Sequence, residues 1–267
     1  MSKLTDSLNK IQSLEELSDG STVLHRIHPM AKMITTIFFL VVVISFDRHQ
    51  ISGLIPFFIY PILMMAIGDI PYQSVLSRLL IALPFSFFAG LSNPFLDRAT
   101  AFILIGIPVS WGFLSFLSII LKTVLTVMAV LIMVATTPMD QLARQLVRIR
   151  VPKIFVMQLM LTVRYLTILI SEAASMMNAY HLRSVKQKGI AIDHIGTFLG
   201  QLLLRSYSRA ERVYLAMKCR GFDGDYHFAG SRSARTSDLI FCFALCISFF
   251  IFRWCNLSLI IGRLFGQ

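Results

Sequence analysis

The sequence predicts an all-α integral membrane protein: a helical bundle of about five or six membrane elements plus a cytoplasmic domain of long helices. Three observations lead there. Of 267 residues, 56% are hydrophobic and mean hydropathy is +0.71, too apolar for an ordinary soluble domain of this size. Apolar runs near the roughly 20 residues that cross a bilayer as helix recur from Met30 onward. Charge is also uneven, because residues 138–235 hold 15 of the 25 Lys and Arg against 6 of the 14 Asp and Glu, leaving +9 of the net +11 there. The positive-inside rule puts that block in the cytoplasm. Juxtamembrane basic residues account for the pI of 9.9, so it implies lipid contact and no nucleic acid.

Residues 1–29 read as a cytoplasmic N-terminal segment. Leu4, Leu8, Ile11, Leu14 and Leu17 recur at helical spacing, without the basic and apolar regions of a cleaved signal. Residues 30–137 form the transmembrane bundle. Met30 to Phe46 is its first span, with Lys32 placed to snorkel into the interface, and Asp47-Arg48-His49-Gln50 is a polar turn. Ile51 to Ile67 is the second, interrupted by Pro56 and Pro61, which membrane helices tolerate when neighbours satisfy the freed carbonyls. Gly68-Asp69-Ile70-Pro71 breaks the chain before a third element, Val75 to Ser92, with Arg78 and Pro84. From Ala99 to Thr137, Pro108 and Ser110-Trp111-Gly112 split an apolar stretch into a partial or re-entrant element and a full span, Phe113 to Thr136. Residues 236–267 supply a C-terminal transmembrane helix, Leu239 to Ile261, with Arg253 off-centre.

Between these lie the cytoplasmic and interfacial helices, residues 138–235. Pro138-Met139-Asp140 opens an amphipathic helix, with Thr137 or Asp140 as cap and Leu142, Leu146 and Ile149 on one face. Ile154 to Ala174 has the hydropathy of a span, yet basic residues flank it on both sides. One crossing cannot leave both flanks in the cytoplasm, so the helix is expected to lie obliquely along the inner leaflet and run on to Leu182-Arg183-Ser184. Gln158, Thr162, Tyr165 and Glu172 give it one polar side. A second long helix, about Thr197 to Arg220, carries Phe198, Leu202, Ala210, Val213 and Met217 at helical spacing and a basic stripe of Arg205, Arg209 and Arg212. Gly221 stands where a helix stops in the left-handed conformation.

A cation in a last turn followed by glycine is, taken alone, a common helix stop. Here two basic helices each end in X-Arg-small, with arginines 37 positions apart. Three segments then carry a resemblance: Leu24 to Lys32 with its Pro-X-X-Lys, Arg144 to Glu172 with Val151-Pro152-Lys153 and Arg164-Tyr165-Leu166, and Ser208 to Asp223 ending in X-Arg-Gly. The chain resembles the transmembrane T component of an energy-coupling factor transporter, closest to the cobalt/nickel type called CbiQ. The resemblance implies that the long cytoplasmic helices are coupling helices, whose tips dock on two ATP-binding subunits. By position the tips are Leu182, Arg183 and Ser184, and Cys219, Arg220 and Gly221. It also implies a separate substrate-binding membrane subunit and residence in the plasma membrane of a bacterium or archaeon.

The residues themselves exclude other classes. No Gly-Lys-Ser/Thr loop cradles a phosphate, so ATP is not bound here and hydrolysis falls to partners. No nucleophile and base cluster supports an enzyme, and no cofactor is expected. His25 and His28 lack the third ligand of a selective metal site. Asp69 and Asp97 sit at turns, which offers no intramembrane carboxylate relay for a stand-alone secondary transporter, the rival reading. A T component shared among vitamin-binding subunits is the rival within the family. Lys122 is expected to snorkel or pair within the bundle, and Cys242 and Cys246 to pack on one helix face. Met157, Met160, Met176 and Met177 are adaptable packing along the first long helix.

Overall fold

The computed structural model describes residues 20, 22–47, 51–96, 100–104, 107–184, 190–224 and 235–254. Contacts gather these residues into two units, residues 20–138 with 235–254, and residues 139–224.

In the first unit, a turn of helix α1 (Val23–Arg26) precedes α2 (Pro29–Ile44). Pro29 opens α2 at the position where a missing N–H costs nothing, and His28 Nδ1 accepts from the Met30 N–H at 3.1 Å. The expected second span divides at its prolines. Ser52–Phe58 is a 3₁₀ helix containing Pro56, and α3 (Ile59–Gly68) continues from it. It stops at Asp69, a left-handed residue with φ 49°, where the Ile70 N–H reaches back to the Met65 carbonyl at 3.2 Å.

Helix α4 (Tyr72–Leu96) is longer than its apolar run, because it continues through Asn93-Pro94. The stretch expected to be a partial or re-entrant element has a different backbone. Strands β1 (Thr100–Leu104) and β2 (Ile107–Ser110) pair antiparallel, with Ile103 opposite Pro108. Ile103, Ile107 and Val109 favour extended backbone, and a two-stranded ribbon leaves Pro108 a free edge for its missing donor. Apart from this ribbon the described regular structure is helical. Helix α5 (Trp111–Thr136) follows, its first turn capped by Ser110 Oγ, which accepts from the Phe113 N–H at 3.3 Å.

Helix α9 (Thr236–Trp254) completes this unit; Cys255 to Gln267, including the end of the expected last span, lies outside the described residues, as do Arg48, His49 and Gln50. Its core is aromatic. Phe39 of α2 packs against Tyr60 at 4.6 Å and Phe249 of α9 at 5.1 Å between ring centroids, with Phe57 at 5.9 Å. Leu125, Ala129 and Ile132 of α5 close the cluster, while α4 lies along α5 with Gly90 against the Phe116 ring. A Cβ at Gly90 would stand 2.9 Å from that ring, so the glycine permits the close approach. Ile37, Val41 and Ile44, and Ile55, Ile59 and Ile62, are exposed, as lipid-facing residues are when a bilayer replaces water as solvent.

Four described helices are long and apolar enough to cross a membrane: Tyr72–Pro94, Trp111–Thr136, Lys153–Arg183 and Thr236–Trp254. Two shorter apolar segments, Pro29–Ile44 and Ser52–Gly68, add to them. The chain is an all-α membrane protein.

Two lysines inside the first unit bind main-chain carbonyls. Lys122 Nζ donates to the Phe46 carbonyl at 2.5 Å, the pairing expected of it. Lys32 does not snorkel. It is only 6% exposed and donates to the Thr136 carbonyl at 2.6 Å, because the C-terminal end of α5 offers it a carbonyl that no helical N–H satisfies.

Candidate functional site

The second unit is built from α6 (Met139–Arg148), α7 (Lys153–Arg183) and α8 (Ile192–Cys219). In α6 the Arg144 guanidinium reaches back one turn to Asp140 at 2.6 Å. The sequence assigned its apolar face to Leu142, Leu146 and Ile149, whereas the buried residues are Ala143 and Gln145 and Ile149 is exposed. Leu142 and Leu146 are half-buried, so the apolar face opens toward Ile149. Arg150, at φ 69°, turns the chain, and Pro152 stands immediately before the first residue of α7.

Helix α7 is continuous over 31 residues with one buried residue, Val156. An amphipathic pattern this long leaves much apolar surface open, including Ile154, Phe155, Leu166 and Leu182. Helix α8 begins earlier than its periodicity suggested, at Ile192, and runs antiparallel to α7. The early part of α7 and the late part of α8 line one groove of about 570 Å³, with Met157, Leu161 and Tyr165 facing Tyr207, Val213 and Met217. The late part of α7 and the early part of α8 line another, of about 360 Å³, with Tyr180 and Arg183 facing His194 and Gln201.

Between the two grooves, Glu172 of α7 accepts from Arg205 of α8 and lies 3.5 Å from Arg209. The polar side read from Gln158, Thr162, Tyr165 and Glu172 is thus the side that meets α8. What the sequence did not supply is the pairing. The available signal was a lone carboxylate within α7 and a basic stripe on α8 with no acidic residue one turn away to neutralise Arg205.

The two tips differ in construction. Helix α7 ends at Ser184, whose N–H bonds to the Tyr180 carbonyl at 3.0 Å, and Leu182 and Arg183 are exposed. A leucine 84% exposed at a helix end is an apolar side chain without cover among the described residues. Helix α8 ends in a Schellman motif: the Phe222 N–H reaches the Met217 carbonyl at 3.0 Å and the Gly221 N–H the Lys218 carbonyl at 2.9 Å. Gly221 has the positive φ, 82°, expected of it. Phe222 and Met217 both line the apolar groove, the hydrophobic contact that accompanies this cap. Cys219, Arg220 and Gly221 are all exposed. Because the helices are antiparallel, the two arginine tips stand at opposite ends of the pair.

His25 and His28 serve local structure. His25 Nδ1 lies 2.6 Å from Thr22 Oγ1, and His28 caps α2. Among the described residues no three of His, Cys, Asp and Glu converge as a metal site. Cys242 and Cys246 are free thiols, half-buried on α9.

Apolar helices long enough to cross a membrane, and a pair of long, antiparallel, arginine-tipped helices, define a polytopic membrane protein. The chain belongs to the cobalt transport protein family, CbiQ, whose model matches residues 20–228. It is similar to the energy-coupling factor transporter transmembrane protein EcfT of Ruminiclostridium cellulolyticum, 25% identical over 77% of this chain and 81% of that one. It is also similar to the nickel permease LarQ of Lactiplantibacillus plantarum, 35% identical over 101 residues, which span 38% of this chain and 36% of the permease. An uncharacterized protein of Methanocaldococcus jannaschii is 23% identical over 88% of this chain and 83% of its own length. The chain is a transmembrane T component of the energy-coupling factor type.

Proposed function

We propose that this chain couples two ATP-binding subunits to a substrate-binding membrane subunit in an ATP-driven importer of cobalt or nickel. The observation that carries the reading is the pair of exposed arginine tips, Arg183 and Arg220, at opposite ends of two long antiparallel helices. Two ends that each present an arginine, on helices of different construction, suit two partners that each offer an acidic groove. A guanidinium at a helix C-terminus makes charge-assisted bonds to an acidic groove, and serine or glycine beside it permits close approach. Leu182 adds an apolar contact at the first tip. The basic unit lies on the cytoplasmic side, where the ATP is, with the open faces of α6 and α7 against the inner leaflet and the substrate-binding subunit. ATP binding closes the ATPase pair, the coupling helices change their crossing angle, and the substrate-binding subunit tilts.

Substrate class rests on the family's description as cobalt transport protein and on the nickel permease among the relatives. The second reading is a T component shared among vitamin-binding subunits, since the longer match is to an energy-coupling factor transmembrane protein whose name carries no substrate. Co-expression with candidate ATP-binding and substrate-binding subunits, followed by purification in detergent and uptake of cobalt, nickel or vitamin into vesicles, separates the two. Replacing Arg183 and Arg220 together by Glu should abolish both co-purification of the ATP-binding subunits and uptake. A double variant that assembles and transports like the parent refutes the coupling role, as does uptake by this chain alone.

A further inference from the structure

We infer that Glu172 is a positioning residue, the pivot on which the two long helices turn, set so that the arms to the arginine tips are of comparable length. The inference rests on the coupling reading above. Its geometry stands on the chain itself.

From Glu172 to Arg183 is 11 residues, and Arg220 lies 11 residues beyond Arg209 and 15 beyond Arg205, the closer partner of Glu172. At about 1.5 Å per residue the first arm is about 16 Å and the second about 16 to 22 Å, according to which arginine holds the carboxylate. Eleven residues also make about three turns, so each tip arginine returns to within roughly 20° of the face that carries its pivot residue. Arg220 is the C-cap, with φ −94° and ψ 12°, so the helical relation holds through Cys219 and the tip arginine follows it by one residue. The antiparallel course sends the arms in opposite directions from the pivot. A change of crossing angle at Glu172 therefore moves the two tips in opposite senses by comparable amounts.

The surroundings of the contact fit a pivot. Open grooves of about 570 and 360 Å³ flank it on its two sides, so the helices have room to change angle without overpacking. The contact itself is a carboxylate facing two guanidinia one turn apart, Arg205 and Arg209. A carboxylate can pass from one to the other as the helices rotate, whereas interlocked apolar side chains hold one angle. All three side chains are partly exposed, at 26%, 56% and 37% for Glu172, Arg205 and Arg209, so the ion pair fixes position while remaining weak enough to exchange.

The test measures the distance between the tips. Spin labels on native Cys219 and on Leu182→Cys, in a chain with Cys242, Cys246 and Cys255 replaced by Ser, report it by double electron–electron resonance in lipid nanodiscs. Glu172→Gln should broaden the distance distribution, raising the population outside the parental peak about two- to fivefold, the factor by which a partly exposed ion pair biases an equilibrium. The swap of Glu172→Arg with Arg205→Glu and Arg209→Glu should restore the parental width, which a general packing defect would not allow. In the assembled transporter, Glu172→Gln should leave co-purification of the ATP-binding subunits intact while raising the ATP hydrolysed per ion imported by a similar factor. An unchanged distribution in Glu172→Gln, or a swap that fails to narrow it, overturns the pivot. Absence of ATP-binding subunits from the parent complex would count against the coupling reading alone, since the distance arm uses the isolated chain.

Discussion

Lys32 Nζ donates to the Thr136 carbonyl at 2.6 Å and lies 3.4 Å from Thr137 Oγ1, joining the first turn of α2 to the last turn of α5. The contact comes two residues before Met139, where the second unit begins. Thr136 and Thr137 are themselves buried, so this lysine serves a carbonyl that water does not reach.

Lys32→Met should therefore destabilise the protein by about 1–3 kcal/mol, the cost of leaving a buried acceptor unsatisfied. Lys32→Arg should destabilise it too, because the cavity beside the lysine is only about 10 Å³ and the guanidinium is larger. Thermal unfolding in detergent followed by circular dichroism checks both. A rise in midpoint for Lys32→Met would show that burying the cation costs more than its bonds return.

Asp238 serves two backbone donors at once. Its Oδ1 accepts from the His28 N–H at 3.1 Å and its Oδ2 from the Arg235 N–H at 2.9 Å, the second being half of a capping box at the start of α9. Asp238→Ala should cost roughly 2–4 kcal/mol and Asp238→Asn about half of that, since the amide keeps one acceptor. Urea or guanidinium midpoints in mild detergent order the three proteins.

Gly221 has open space around its missing Cβ, so its substitution tests backbone alone. Gly221→Ala places a β-carbon at φ 82° and should cost about 1–2 kcal/mol at the end of α8, with Gly221→Asn milder. Faster amide exchange confined to Met217 to Phe222 is the expected signature. Equal exchange in parent and alanine variants would mean the cap does not hold the tip.

Arg220→Lys keeps the charge and loses the planar fork. If the tip binds an acidic groove bidentately, losing one charge-assisted bond should weaken ATP-binding subunit affinity about tenfold. Arg220→Glu should abolish binding through that tip, leaving the Arg183 tip to retain one subunit. Co-purification stoichiometry by mass measurement distinguishes one retained subunit from two or none.

Much of the fold was legible because bilayer length and helical period act locally. Composition, the spans and the cap at Gly221 all follow from short-range chemistry, and so does the polar side of α7 from Gln158 to Glu172. The ribbon at residues 100–110 was read as a membrane element because hydropathy measures apolarity, which a strand shares with a helix. The apolar face of α6 shows the limit of periodicity, which names Leu142, Leu146 and Ile149, two half-buried and one exposed, without naming what covers them.

By itself, the sequence determined that the chain is helical, lives in a membrane, concentrates positive charge in one block and ends two helices in exposed arginines. Only the tertiary structure decided that Lys32 is buried on a carbonyl 104 residues away, and that Glu172 meets Arg205 and Arg209 across two helices. The physical reason is range. Helix propensity, caps and transfer into lipid are set within a few turns of chain, whereas a buried cation or an inter-helix ion pair depends on which distant groups the packing brings within about 4 Å.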